Sequence, residues 1–216
     1  MNVTRKPAPI IILNGAPRSG KSSIVAAIQS LDERPWINLG VDTYVRNATP
    51  QRFRPGIGLR PGGERPDIEA LLPTFYLALY TSIAAHSRLG LPVVAEFGHH
   101  DAYSKPLGIL RRVSRVLAGL PVLFVGVQCP LDVIMERRRA EQDDRRQEYI
   151  PLEPNDMAPM SVRLWQDLVH VPGIYDLEVD TSEATAETCA ITILRRLEEA
   201  PTEPSAFERL AGIAPR

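Results

Sequence analysis

The 216-residue sequence predicts a three-layer α/β domain, a five-stranded parallel sheet covered by helices on both faces. Three observations predict it. Five short apolar runs recur along the chain, segments of helical period lie between them, and a glycine-rich turn joins the first run to the first helix. Continuously apolar runs suit strands buried on both faces. Strand–helix alternation suits parallel strands joined by right-handed crossovers.

The first strand is read over 9–14 (PIIILN) and is followed by the helical segment GKSSIVAAIQSL. The second strand covers 36–41 (WINLGV). It leads into a proline-rich stretch over 49–66, expected to be an ordered loop because proline resists helix interiors and central strands. A long helical segment over 66–90 precedes the third strand, 92–97 (PVVAEF). Its wide apolar face carries Phe75, Tyr76 and Tyr80, expected in the core or on the wall of an acceptor pocket. The segment 105–120 precedes the fourth strand, 121–128, and 130–144 follows it. A second proline-rich loop is expected over 150–160, the fifth strand over 174–180, and a closing helix over 184–200. Residues 1–200 read as one domain, and the tail over 201–216 has room for a short docking helix.

Composition narrows the function. Hydrophobic residues make up 44% of the chain, enough for a full core. The formal net charge of −1 provides no global basic field, so nucleic acid is not the expected partner. Cys129 and Cys189 are too few for a disulfide framework or a cysteine zinc site, which suits a reducing cytoplasm. The N-terminal apolar run IIIL is far below the length of a signal peptide or membrane span.

Gly15, Gly20, Lys21 and Ser22 complete the pattern G-x-x-x-x-G-K-[ST] between a buried strand and a helix. Such a loop aims successive N–H groups at phosphate oxygens, and the helix N-terminus adds its positive dipole end. Gly15, Ala16, Pro17, Arg18, Ser19, Gly20, Lys21, Ser22 and Ser23 are therefore the expected binding residues for a nucleoside triphosphate. Lys21 is expected to bridge the β- and γ-phosphates and Ser22 to ligate Mg²⁺. Arg18 either adds charge near the γ-phosphate or points to solvent.

Asp42 follows the second strand directly. At the carboxyl end of a strand beside a phosphate loop, a carboxylate can orient an alcohol and accept its proton. It can equally cap the following turn.

At these residues the sequence resembles the chloramphenicol phosphotransferase family, small P-loop kinases that phosphorylate an antibiotic hydroxyl. The resemblance runs from IILNG and GKSSIV through GVD and RPGIGLRPGG to FVGVQCPLDVIMERRRA and YDLEVDTS, nearly the whole chain. It implies a P-loop kinase-like fold, ATP with Mg²⁺, Asp42 as the base on a small hydroxylated acceptor, and an adenine pocket near VDTSEAT (179–185).

The segment MERRRAEQDDRR (135–146) is either a solvated helix face or, as its place after the fourth strand suits in phosphotransferases of this type, an arginine-rich lid. Arg137 and Arg138 are the first candidates to face the phosphates, and Arg145 the next. The third strand departs from the family pattern, in which it ends in aspartates. Here Glu96 takes the acidic place, suited to a Mg²⁺ water or an acceptor contact, and His99 and His100 follow. Adjacent histidines on an extended chain point opposite ways, which argues against a shared metal. Acceptor contact or loop packing is expected of His99.

The proline-rich loop and the residues just before it carry Arg46, Arg52, Arg54, Arg60 and Arg65, with Arg54 taken as an acceptor contact. Such a loop suits an acceptor bearing carboxylate or phosphate, or is simply solvated. The leading expectation is an ATP-dependent phosphotransferase acting on a small-molecule hydroxyl, giving antibiotic resistance. The alternatives are a metabolic nucleoside or nucleotide kinase and a nucleotide-dependent regulator. Oligomeric state stays open.

Overall fold

The computed structural model describes residues 6–140, 158–199 and 204–212. Five parallel strands form one sheet in the order β2-β3-β1-β4-β5: β1 (Ile10–Asn14), β2 (Ile37–Asn38), β3 (Val93–Phe97), β4 (Val122–Gln128) and β5 (Leu177–Asp180). The main helices are α1 (Lys21–Leu31), α2 (Leu72–Arg88), α3 (Ile109–Leu117), α4 (Leu131–Ala140), α5 (Met160–Leu168), α6 (Ala186–Glu198) and α7 (Ala206–Ala211). No helix among the described residues is long and apolar enough to cross a membrane.

β1 shows why its apolar run is unbroken. Ile10 and Ile12 enter the core beneath α2, α3 and α7, while Ile11 and Leu13 enter the core beneath α1 and α6. All four are fully buried. At about 25 cal/mol per Å² of apolar surface, each such side chain stabilises the fold by roughly 2 kcal/mol. The expected α/β architecture with five parallel strands is therefore the observed one, and β1 at its centre delivers the phosphate loop.

Several elements differ from the sequence expectation, each for a local reason. β2 is two residues long because the Asn38 side chain accepts from Gly40 N at 2.9 Å and turns the chain off the sheet into the short helix Val41–Thr43. β5 starts at Leu177 because the Asp176 side chain accepts from Phe124 N and Ala206 N, tying the approach to β4 and α7. The segment 66–90 divides into a short helix, Pro66–Glu69, and α2. Pro73 in the first turn of α2 has no N–H to continue a helix from Glu69. The 49–66 stretch contains the two 3₁₀ turns Gln51–Phe53 and Gly56–Gly58. α5 starts directly after Pro159, where the sequence predicts no helix.

The C-terminal helix α7 carries a capping box between Ser205 and Glu208. It buries Phe207 against Tyr80 and Phe124, filling the far end of one core.

Candidate active site

One cavity of about 790 Å³ opens at the carboxyl ends of the strands, where ligands of such sheets bind. Its phosphate side is the turn from β1 into α1. Arg18 (φ 72) and Gly20 (φ 88) both adopt left-handed backbone, which coils the loop. The carbonyls of the turn are held from outside. Thr181 Oγ1 donates to Ser19 O at 2.8 Å, and Arg137 donates to Arg18 O, Thr181 Oγ1 and Thr181 O at 3.2, 3.1 and 2.7 Å.

Lys21 lies buried with its Nζ donating to Gly15 O and Ala16 O at 2.9 and 2.8 Å. Burial lowers its pKa to about 8 against the opposing pull of Glu96 and Asp42. Ser22 Oγ donates to Glu96 Oε2 at 2.8 Å. Burial raises the Glu96 carboxyl, while the Lys21 charge and the Ser22 hydrogen bond pull it back. A hydroxyl and a carboxylate oxygen side by side, next to a lysine and a coiled N–H turn, are the hard donors that magnesium and a nucleotide triphosphate take, so the residues present fit both.

The wall facing the phosphate loop is built from the chain after β2 and the end of β3. Asp42 sits in the first helical turn after Gly40, its side chain 65% exposed, with Arg46 at 3.8 Å one turn on. Val41, Arg46, Ile57 and Gly58 continue that wall, and Glu96, Phe97, Gly98 and Trp165 form the rest. Gly40 lets Glu96 in: a Cβ there would meet Glu96 Cγ at 2.7 Å.

The structure thus brings Gly15, Pro17, Arg18, Gly20, Lys21, Ser22, Ser23, Asp42, Glu96 and Arg137 to one cavity, with Thr181, Ala184 and Thr185 beside them. Ala16 and Ser19 are buried within the loop itself. Arg138 is buried on α4, and Arg145 lies outside the described residues.

Three expected acceptor contacts sit elsewhere. Tyr76 is buried beneath the cavity and donates from its hydroxyl to Ile57 O at 2.7 Å. His99 is buried among Tyr76, Tyr80 and Phe97, with Nε2 hydrogen-bonded to the Tyr80 hydroxyl at 2.7 Å. Arg54 donates to Thr49 O and Arg46 O at 2.9 and 2.6 Å, folding the loop on itself. Arg65 pairs with Asp67, and Arg52 lies over the Phe53 ring. Of the loop arginines, Arg46 is the one on the cavity wall among the described residues. His100 is also structural. Ala102 N donates to its Nδ1, so its Nε2–H donates to Leu59 O at 2.8 Å. No three His, Cys, Asp or Glu side chains come together among the described residues in a way that could hold a metal.

Trp165 was not foreseen at the cavity. The apolar spacing of MSVRLWQDL after Pro159 was the available signal, since it has helical period.

A family model described as chloramphenicol phosphotransferase-like protein matches residues 8–198. The chain belongs to the chloramphenicol phosphotransferase-like family. A Mycobacterium tuberculosis (strain H37Rv) protein provisionally named an O-phosphotransferase is 27% identical over 214 residues, spanning 93% of this chain and 87% of its own. Among solved structures, Mycobacterium tuberculosis APS kinase in complex with AMPPNP and APS superposes with a TM-score of 0.57 at 16% identity, over 90% of this chain and 100% of that one. Shikimate kinase from Acinetobacter baumannii gives 0.56 at 14% identity, over 88% and 93%. These likenesses establish the P-loop kinase fold. With the family and the phosphate loop, they make this chloramphenicol phosphotransferase-like protein an ATP-dependent phosphotransferase.

Proposed function

We propose that the enzyme transfers the γ-phosphoryl group of ATP to a hydroxyl of a small natural product. The acceptor is an antibiotic of the chloramphenicol type or another hydroxylated compound such as a nucleoside antibiotic, and the outcome is resistance or self-resistance. One observation carries this reading: Asp42, with an exposed carboxylate, shares a cavity with Lys21 and Ser22 of the phosphate loop.

In this reading Asp42 orients the alcohol and accepts its proton. The alcohol oxygen bonds to the γ-phosphorus, the bond to the bridging oxygen breaks, and ADP leaves. Lys21 exchanges the carbonyls of Gly15 and Ala16 for phosphate oxygens. Ser22 and Glu96 would hold magnesium, which would supply charge neutralisation on the phosphates. Arg137 braces the phosphate loop and adds positive charge at its mouth. Positioning and electrostatics supply most of the rate gain in such transfers.

The loop 49–66 supports a neutral acceptor over a strongly anionic one. Arg54 is held by carbonyls of its own loop, Arg52 lies over the Phe53 ring and Arg65 is paired with Asp67, so none of the three reaches the cavity wall as an anion-binding side chain would.

The test is incubation with Mg·ATP and a panel of hydroxylated antibiotics and nucleosides that includes chloramphenicol, followed by mass spectrometry. The expected result is a gain of one phosphoryl group on a panel member. Turnover of ATP without a phosphorylated small molecule, across the panel, would sink the reading.

A further inference from the structure

Trp165 is a large aromatic side chain on the cavity wall, and its orientation is fixed. Its Nε1 donates to Gly98 O at 3.1 Å, and a Cβ on Gly98 would stand 3.0 Å from the same nitrogen. Glycine at 98 is what allows the indole to lie on the end of β3. The His100 ring packs edge-on against it, with centroids 5.7 Å apart and planes at 86°. The His100 ring is itself fixed by Leu59 O and Ala102 N. On α5, Trp165 joins the apolar cluster of Ala16, Ile134, Met135, Val162 and Val169. The indole is therefore half-buried, anchored at its polar edge, and still borders the cavity.

Sheet order separates two sides of the cavity. β2 and β3 lie on one side of β1, and β4 and β5 on the other. Asp42 follows β2 and Glu96 lies on β3, whereas Thr181, Ala184 and Thr185 follow β5. Trp165 is bonded to Gly98, directly after β3, and packs on Ala16 of the phosphate loop and on Ile134 and Met135 of α4, so its cavity edge lies between the β3 end that carries Glu96 and the phosphate loop, away from the β5 loop. Val41 and Ile57 contribute apolar surface to the same part of the cavity.

We propose that Trp165 is the acceptor-selecting residue: its indole packs against a planar apolar ring on the alcohol, so that ring-bearing alcohols are taken in preference to open-chain ones. This rests on the reading that the cavity beside Asp42 receives the acceptor. A pre-fixed indole loses little side-chain freedom on binding, and a ring on its face gains contact that a flexible polyol cannot match.

The test uses phenyl glycol and propylene glycol, two diols that differ by phenyl for methyl. Tryptophan emission of the intact protein is followed during titration with each, with Mg·AMPPNP present. The same titrations of Trp165→Phe, which retains only the core residue Trp36, serve as the blank. A change in the Trp165 component with phenyl glycol and none with propylene glycol is the expected result. Any other pattern overturns the proposal, including a response to Mg·AMPPNP alone with neither diol adding to it, which would assign Trp165 to the nucleotide.

Kinetics provide a second reading. With any ring-bearing acceptor from the panel, Trp165→Leu is expected to raise the acceptor KM about tenfold and Trp165→Phe to retain most of the affinity, while KM for ATP stays unchanged. An unchanged acceptor KM in Trp165→Leu overturns the proposal while leaving phosphoryl transfer itself intact. Conversely, the emission titration needs no transfer, so failure of the transferase reading leaves its result interpretable.

Discussion

Ser22 Oγ and Glu96 Oε2 are 2.8 Å apart, joining the first turn of α1 to β3 across the floor of the cavity. The bond holds a hydroxyl and a carboxylate side by side, with Lys21 as the neighbouring counter-charge. Glu96→Gln keeps the shape and still accepts from Ser22, but it removes the charge. We expect kcat to fall roughly 10- to 100-fold and the Mg²⁺ concentration for half-maximal rate to rise. Rates measured across a magnesium series check this. Wild-type magnesium dependence in the variant would remove Glu96 from the metal site.

Asp42→Asn tests the base. The amide retains the position one turn from Arg46 but cannot take a proton. Loss of general-base catalysis is expected to lower kcat by about 10²–10⁴-fold. The phosphate loop is untouched, so the Kd for Mg·ATP measured by calorimetry should match wild type. Near-full turnover in Asp42→Asn would return Asp42 to the role of a turn residue.

How much of this was legible in the sequence depends on the range of the signal. β1 and the phosphate loop are local: an unbroken apolar run and a spaced glycine motif specify them without reference to the rest of the chain. β2 is short because one side chain, Asn38, turns the chain, which no run of apolar letters reports. The misplacement of His99 had a readable cause. Val93, Ala95 and Phe97 face the core beneath α2, and His99 keeps their parity, stacking on Phe97 at 4.9 Å. Counting by twos along β3 separates Glu96 from His99, whereas proximity to the strand end does not. Tyr76 and Tyr80, four apart on α2, close over that ring from the other side. Arg54 was illegible in a different way, since its partners are backbone carbonyls of its own loop.

Burial carries the His99 pKa down to about 3, and its Nε2 is hydrogen-bonded to the Tyr80 hydroxyl. The unfolded chain binds this proton near pH 6.5, so between that value and about 3 the unfolded state holds more protons. Stability from the neutral ring is fully present above about pH 6.5 and is lost progressively as pH falls, by a few kcal/mol in all. The double variant His99→Phe/Tyr80→Phe removes both polar partners together, avoiding an orphaned hydroxyl. Its thermal midpoint should decline less steeply than wild type between about pH 6.5 and 5. Parallel slopes would show that His99 does not set the acid response.

Gly40 links the wall that carries Asp42 to the Ser22–Glu96 pair, and its effect can be isolated. Its backbone (φ −73, ψ 172) is open to any residue, so a substitution there meets only side-chain and backbone obstacles. An alanine Cβ would stand 2.7 Å from Glu96 Cγ and 3.1 Å from Glu96 N. Gly40→Ala must therefore push the Glu96 side chain off Ser22, shift Asp42 two residues on, or both. The expected cost is about 1–3 kcal/mol of stability, as for overpacking, together with a fall in kcat at least as large as that of Glu96→Gln. A double-mutant cycle assigns the cause. In a Glu96→Ala background the Cγ is gone, so most of the stability cost of Gly40→Ala should disappear, a coupling that residues in direct contact show. Chemical denaturation of the four proteins measures it. Additive costs would mean that the clash is with backbone, and that Gly40 is kept for the turn into Val41–Thr43 rather than for the carboxylate.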